Sequence, residues 1–416
     1  MTPEVKERIE QIRHGIVPEG YQKTAAGIIP NDWKCSAIHD CLNIKNNERK
    51  PISEEVRKTI PGPYPYYGPT QAQGYINTYI SEGPAVLIGE DGDHFLKYSV
   101  KPMTLFVDGK YTVNNHAHIV LGTDRCATKW FFYAYHHKSL FTALTRQGAG
   151  RYKLTKEALE KLIVQYPCVQ EQNQIIDIIS SQDKVIDLKE KLLAEKQRQK
   201  KYLMQQLLTG KKRLPGFDGE WKTVRLGHIS KRIRERNHIG STNVMTISAQ
   251  FGLINQEEFF NKTIASDDKS NYFLLHRNDF AYNKSYSTGY PYGAIKRLTR
   301  YDSGIVSPLY ICFRIKRMDV SVDFMAHYFE AGLMNREIQA FAQEGARNHG
   351  LLNIAVEDFF NSKITLPPFE EQQAIAAILT TADKEIDLLR QDLEQEKQKK
   401  KALMQLLLTG IVRVNA

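Results

Sequence analysis

The sequence predicts an α/β (α+β) chain: two globular units with irregular β-sheets, separated by two long α-helices that pair as an antiparallel coiled coil with pseudo-two-fold symmetry. Three observations lead there. Pro167 to Gly210 overlies Pro367 to Gly410 without a gap, 20 of the 44 positions being identical, so the chain repeats at an offset of 200 residues. Each copy carries apolar residues seven apart, one edge of a heptad seam. With 416 residues there is room for two domains, each able to bury its own core.

The expected organisation is an N-terminal helical segment (1–22), a first globular unit (23–166), a first repeated helical region (167–213), a second globular unit (214–366) and a second repeated helical region (367–416). Thr2-Pro3-Glu4 has the form of a capped helix start. In the first unit, Asp108-Gly109 between Thr104–Val107 and Lys110–Val113 is a hairpin signal, because a tight two-residue turn needs positive φ angles. Ala85–Ile88 and His118–Leu121 read as further strands, and Trp130–Thr145 as a helix. In the second unit Asp279–Tyr282 and Leu309–Ile315 read as strands, and Asp323–Gly345 as a helix. Both units open alike, on Pro30-Asn31-Asp32-Trp33-Lys34 and Phe217-Asp218-Gly219-Glu220-Trp221-Lys222, and close alike on a short helix and a strand ending at Pro167 or Pro367. Between those frames the sequences differ almost completely.

The heptad edges are Ile179, Ile186, Leu193, Lys200, Leu207 in the first copy and Leu379, Ile386, Leu393, Lys400, Leu407 in the second. The neighbouring edge is mixed, Ile175, Gln182, Lys189, Lys196, Leu203 against Ile375, Ala382, Leu389, Glu396, Leu403, so the seam is narrow. Helices of this length reach about 55 Å, more than a single globular unit needs, which points to a ruler. Gly210 and Gly410 are the expected left-handed caps. Lys196, Arg198, Lys200, Lys201, Lys211, Lys212 and Arg213 form a basic run with no acid inside it, read as a solvated face.

A composition of 42% hydrophobic and 25% charged residues suits a folded soluble protein, and no apolar run approaches a membrane span. Cys35, Cys41, Cys126, Cys168 and Cys312 are scattered, which favours reduced thiols in a cytoplasmic protein. No phosphate-binding G-x-x-x-x-G-K-[ST] loop is present, and Leu366-Pro367-Pro368-Phe369 lacks the Asn or Asp that an amino-methyltransferase loop requires. Glu90-Asp91-Gly92-Asp93 reads as a turn rather than a metal site, and the histidines His116, His118, His136 and His137 have no completing ligands. Neither catalytic nor metal-binding residues are expected.

A net charge of +10 favours a polyanionic partner. Asn, Gln, Arg, Lys and aromatic side chains read DNA base edges. Turns rich in them are the candidate contacts: Tyr67, Gly68, Thr70, Gln71, Asn114, Asn115 and His116 in the first unit, and Asn283, Lys284, Ser285, Tyr286, Ser287, Arg347, Asn348 and His349 in the second. Lys97, Lys101, Arg146, Arg151, Arg232, Arg234 and Arg297 are candidates for phosphates, with Lys284 able to serve there too.

Two dissimilar units, each followed by a helix ending in Leu-Met-Gln-x-Leu-Leu-Thr-Gly, resemble the specificity subunit of type I restriction-modification enzymes over essentially the whole chain. The most specific marks are Pro367-Pro368-Phe369-Glu370-Glu371-Gln372-Gln373-Ala374-Ile375-Ala376 and the Leu-Thr-Gly ends. Tyr67-Gly68, Leu87–Gly92, Asn114–His118, Tyr282-Asn283 and Val306-Ser307-Pro308 resemble the family's target-recognition domains, while Cys168-Val169-Gln170 departs from its pattern. The resemblance implies two target-recognition domains, each reading one half of a split double-stranded DNA site, with helices that set the spacer and bind two modification (methyltransferase) subunits. Ile175, Ile179, Ile186, Leu193, Leu203, Leu207, Ile375, Leu379, Ile386, Leu393, Leu403 and Leu407 would form that helical interface. It further implies that S-adenosylmethionine, ATP and Mg belong to the modification and restriction subunits and that this chain binds none. The competing readings are a self-contained nuclease or methyltransferase with degenerate motifs, and a coiled-coil scaffold.

Overall fold

The computed structural model describes residues 2–147, 151–248, 251–260, 269–287, 289–344 and 352–414. It divides into two compact units, Met1–Lys189 with Asp392–Ala416, and Glu190–Gln391. The long helices Val169–Leu207 and Phe369–Leu407, each 39 residues, contribute one end to each unit. The first unit thus holds the start of the first helix and the end of the second, and the second unit the converse.

In the first unit Ala85–Gly89 is the pivot, buried at every position because it is covered on both faces. Its alternation divides the domain into two cores. Val86 and Ile88 pack with Trp130, Phe131, Val164, Ile175, Ile179, Leu407 and Leu408. Ala85 and Leu87 pack with Tyr111, Val113 and Ile119. The strand lies between Thr104–Val107 and Ala117–Leu121 in a four-stranded sheet edged by Asn43–Ile44. A second sheet runs Ala72–Ile76, Pro61–Tyr67, Lys110–Val113, Ser81–Glu82.

The Asp108-Gly109 hairpin is not formed. Both flanking strands exist, but Thr104–Val107 pairs with Ala85–Gly89 while Lys110–Val113 pairs with Pro61–Tyr67 and Ser81–Glu82. Gly109 adopts the positive φ (81°) that the signal demands, yet its carbonyl accepts from the Gly83 N–H at 2.9 Å, so the turn is a corner between sheets. The buried edge of Ala85–Gly89 offers more packing than local self-pairing does. Thr2 accepts from the Val5 N–H and caps the N-terminal helix Pro3–Arg13. The helix expected over 130–145 spans Thr128–Tyr135 and stops where Met103 N–H takes the His136 carbonyl at 2.8 Å.

In the second unit the main sheet runs Ser230–Arg232, Ile311–Ile315, Phe280–Asn283, Ala294–Arg297. Its core is aromatic: Phe280 stacks on Phe313 at 5.3 Å and Tyr282 on Phe359 at 5.0 Å, with Phe329 edge-on to Phe280. Met204, Leu207, Leu208, Ile375 and Leu379 from the two helix ends complete it. The helix expected over 323–345 is broken into Val322–Glu330 and Asn335–Phe341. Gly332 between them has φ 69°, a left-handed position that ends the first helix.

Within each unit the helix ends run antiparallel, and the polar seam positions are matched by acids. In the first unit Gln182 donates to Glu396 (2.6 Å), Lys189 pairs with Asp392 (2.7 Å) and Glu396 (2.9 Å), and Lys400 with Asp183 (2.5 Å). In the second, Lys196 pairs with Glu385 (2.6 Å) and Lys200 with Asp383. The two lysines that interrupt the heptad edge are therefore cross-helix ion pairs, as are members of the basic run read as solvated. Ile175, Ile179, Leu207, Ile375, Leu379, Ile386, Leu393 and Leu407 are buried, and Ile186, Leu193, Leu203 and Leu403 half-buried.

The start of each long helix is locked by the same device. Gln172 accepts from Ala127 N–H (2.8 Å) and donates to the carbonyls of Arg125 (2.8 Å) and Pro167 (3.0 Å). Gln372 accepts from Ser321 N–H (2.9 Å) and donates to Asp319 (3.2 Å) and Pro367 (2.9 Å). Glu171 is clamped by Arg413 (both bonds 2.7 Å), and Glu371 by Arg213 (2.7 and 2.8 Å). These carboxylates are buried, so each depends on its guanidinium. Gly210 and Gly410 carry φ 69° and 71° as helix caps.

Candidate nucleic-acid interface

Three connections converge at one end of the first unit. The strand Lys110–Val113 ends at Asn114, whose Oδ1 accepts from His116 N–H at 2.8 Å, a side-chain-closed turn. Asn114 N–H donates to the Tyr67 carbonyl (2.9 Å) and its amide to Gln73 (3.2 Å). Tyr67 leads into a turn closed by Gly68 N–H to the Gln71 carbonyl at 2.9 Å. A Cβ on Gly68 would lie 2.4 Å from the Gln73 side-chain amide, so a larger residue there would have to displace Gln73 from Asn114. The third connection, Gly89–Asp93, is tied in by Glu90 N–H to the His116 carbonyl (2.8 Å) and by His116 Nδ1 to Asp91 (2.8 Å).

A charge cluster supports the loop. Arg49 bonds Glu90 at 2.5 Å and the Asn115 carbonyl at 3.1 Å, and Lys153 lies 3.2 Å from Glu90. Burial raises the Glu90 pKa, but Arg49 and Lys153 outweigh it and hold the carboxyl below its ordinary value. His118 donates through Nε2 to the Leu154 carbonyl (2.8 Å) and accepts at Nδ1 from Asn46 (2.9 Å), a neutral ring whose pKa burial lowers. Glu90 and Asp91 are thus spent on Arg49, Lys153 and His116. Among the described residues no three His, Cys, Asp or Glu side chains are placed to hold a metal ion.

Of the sequence-predicted contacts here, Thr70, Gln71, Asn115 and His116 are exposed; Tyr67 is half-buried and Gly68 buried. Asn114 is 5% exposed and committed to the turn. Lys97 and Lys101 are exposed just beyond Gly89–Asp93. Arg146 is exposed and opposite Tyr152, which pairs with Gly92, so it flanks the same loops. Arg151 lies on the strand Arg151–Lys153, its side chain outside the described residues.

The second unit builds a related end from other residues. Asn283 ends the strand Phe280–Asn283 and its Oδ1 accepts from Ser285 N–H at 3.1 Å. Lys284, Ser285 and Ser287 are half-buried and Tyr286 is 63% exposed. The Lys284 carbonyl accepts from Leu352 N–H (3.1 Å), which brings the strand pair Gln343–Glu344 and Leu352–Asn353 beside this loop. Arg347, Asn348 and His349 lie outside the described residues. Arg232 stands opposite Phe313, which pairs with Phe280, so it shares the row of Phe280 at the end of the strand away from Asn283 and is not brought to the loop; Arg234, two residues further toward the Asn283 end, is exposed. Burial, and then Arg234, lower the Arg232 pKa. Arg297 is not brought to the loop. It faces Phe280, the far end of the strand pair from Asn283, and is bound to Asp323 at 2.6 Å. Its place in the sequence near the loop concealed this, because the strand return carries it roughly 10 Å away.

Sequence reasoning missed Arg49, Gln73, Lys153, Tyr290, Lys296 and Glu330, which support the loops. None lies in a recognisable motif. The clamps Arg213 and Arg413 were findable, since both stand at the same repeat position.

Residues 30–197 and 219–398 match the family model for the type I restriction modification DNA specificity domain. The chain is 32% identical over 151 residues, 36% of its length and 37% of the relative's, to a putative type I restriction enzyme specificity subunit of Haemophilus influenzae. Across 95% of the chain and 97% of the relative it is 24% identical to a putative type I restriction enzyme specificity subunit, MjaX, of Methanocaldococcus jannaschii. The fold is similar to the crystal structure of the type I restriction-modification system S subunit from M. genitalium, with a TM-score of 0.58 at 12% identity, covering 90% of this chain and 96% of that one. No helix among the described residues is long and apolar enough to cross a membrane.

Proposed function

Since the chain belongs to the family of type I restriction modification DNA specificity domains, we propose that each of its globular domains reads one half of an asymmetric, bipartite site on double-stranded DNA. The exposed Thr70, Gln71, Asn115 and His116 serve the first half, and Asn283, Ser285, Tyr286 and Ser287 the second. Lys97, Lys101, Arg146, Arg234 and Lys284 neutralise phosphates, which positions the domains without reading sequence. The long helices set the unread spacer, with half-sites centred about one DNA turn, roughly 10 base pairs, apart. They also bind two modification subunits, and restriction subunits join that complex. The chain itself is not catalytic and binds no cofactor; S-adenosylmethionine, ATP and Mg reside on its partners.

One observation carries this reading. The scaffold contacts recur at the repeat offset, Gln172 with Gln372 and Glu171–Arg413 with Glu371–Arg213, whereas the loop ends share only an Asn-closed turn and carry different side chains. A scaffold used twice with unlike loops suits two unlike half-sites. The test is to co-express the chain with its cognate modification subunit and map N6-methyladenine in the host genome. Replacing Asn115 and His116 by Ala should relax only one half of the motif, and replacing Tyr286 and Ser287 only the other. Both replacements altering the same half would refute the assignment.

A further inference from the structure

Beneath the Asn283–Gly293 loop lies a polar cluster outside the proposed contacts. Lys296, 8% exposed, stands on the strand Ala294–Arg297. Its ammonium donates to the Tyr290 hydroxyl at 3.0 Å and to Glu330, and the Tyr290 hydroxyl donates to Glu330 Oε1 at 2.6 Å. The ammonium also sits 4.6 Å from the Tyr290 ring centroid. The three groups come from the loop, the strand that follows it and the last residue of the helix Val322–Glu330. A buried ammonium needs its carboxylate, so the cluster forms as one unit. Burial and the Glu330 charge raise the Tyr290 pKa, so the phenol keeps the proton it donates.

Through Tyr290 the cluster fixes the loop backbone. Tyr290 N–H donates to the Ser287 carbonyl (2.8 Å), Ser287 N–H to the Tyr290 carbonyl (3.4 Å), and Gly293 N–H to the Tyr290 carbonyl (3.2 Å). Tyr282 hydroxyl donates to the Tyr292 carbonyl at 2.7 Å on the far side. A Cβ on Gly293 would lie 2.2 Å from the Asn283 carbonyl oxygen, so the two loop ends are pressed together. Tyr286, 63% exposed, thus stands on a loop whose base is tied by these bonds.

We propose that Lys296, Tyr290 and Glu330 are positioning residues for DNA recognition: without touching DNA they hold Ser285, Tyr286 and Ser287 in the geometry that sets base preference in the second half-site. The inference rests on the reading of this loop as a DNA contact. Discrimination between bases needs side chains held within about 0.5 Å of the productive geometry, and the supporting shell supplies that.

The experiment compares N6-methyladenine maps from cells co-expressing the modification subunit with the unaltered chain or with Tyr290→Phe, Glu330→Gln, Lys296→Met or Lys296→Arg. Tyr290→Phe and Glu330→Gln preserve volume, and copurification with the modification subunit shows that the complex still forms. The expected result is an about ten-fold rise in methylation at sites with a wrong base in the second half, the first half staying intact, and partial recovery in Lys296→Arg. A general loss of stability would lower methylation without changing base tolerance in one half alone. If these variants leave both halves unchanged while Tyr286→Ala relaxes the second, the positioning role is overturned and the loop reading stands. If Tyr286→Ala and Ser287→Ala are also silent, the loop reading fails and the inference falls with it.

Discussion

The two units use the same device to start the loop proposed to meet DNA and different devices to hold it. Asn114 and Asn283 each close a turn onto the second residue following, at the end of a sheet strand. Below that turn the first unit places Arg49, Glu90 and Lys153, and the second Lys296, Tyr290 and Glu330. The frames behind them agree residue by residue, through the Gln172 and Gln372 anchors and the Arg413 and Arg213 clamps. What is constant is what must meet the helices. What differs is the loop support, whose hydrogen bonds and ion pairs share no residue with the helix lock.

The largest effect that tests this equivalence is loss of a clamp. Arg413→Ala leaves Glu171 and Asp32 without their partner, and Arg213→Ala leaves Glu371. Removing one member of a buried pair costs about 3–5 kcal/mol. Hydrogen exchange should show amides of the first unit loosened by Arg413→Ala and those of the second by Arg213→Ala, with the first effect the larger because Arg413 serves two carboxylates. Equal loosening of both units by either variant would contradict separate, equivalent locks.

Acidification separates the units further. Burial holds His136 at a pKa of about 4, below the ordinary 6.5, while the unfolded chain titrates at the ordinary value. The neutral ring therefore contributes stability that is full above pH 6.5 and is lost as pH falls toward 4, amounting to about 2–3 kcal/mol after allowing for partial exposure. His94 and His118, also lowered by burial, act in the same direction in the first unit, against His327 in the second. The first unit should lose amide protection first as pH drops from 7 to 4, and His136→Gln should flatten that dependence.

The helix caps give the smallest effect. Both glycines have positive φ, so alanine at either costs about 1 kcal/mol. A Cβ at Gly410 would lie 2.6 Å from the Pro30 ring, while at Gly210 the nearest atoms belong to Trp221 at 3.4 Å. Gly410→Ala should therefore lower the melting temperature more than Gly210→Ala.

Much of the scaffold was legible in the chain because it is written twice. The repeat marks both long helices and their caps, and the apolar heptad positions mark residues that are buried or, at Ile186, Leu193, Leu203 and Leu403, half-buried. Strands Ala85–Gly89 and Ile311–Ile315 showed as apolar runs. The hairpin at Asp108-Gly109 misled because turn propensity is local, while the pairing of Thr104–Val107 is decided by a strand nearly twenty residues away. The mixed heptad edge looks weak in sequence because the partners of Lys189 and Lys196, namely Asp392, Glu396 and Glu385, stand on the other helix about 200 residues away. Loop supports such as Arg49 and Glu330 left no signal, since each is a single charged residue far in sequence from the loop it serves.

The most direct measurement is the N6-methyladenine map of cells carrying the unaltered chain and its cognate modification subunit. The expected result is a split motif whose two halves differ in sequence and flank an unread spacer of fixed length. A continuous motif, or the same half-sequence on both sides, would contradict the claim that one repeated scaffold presents two unlike reading surfaces.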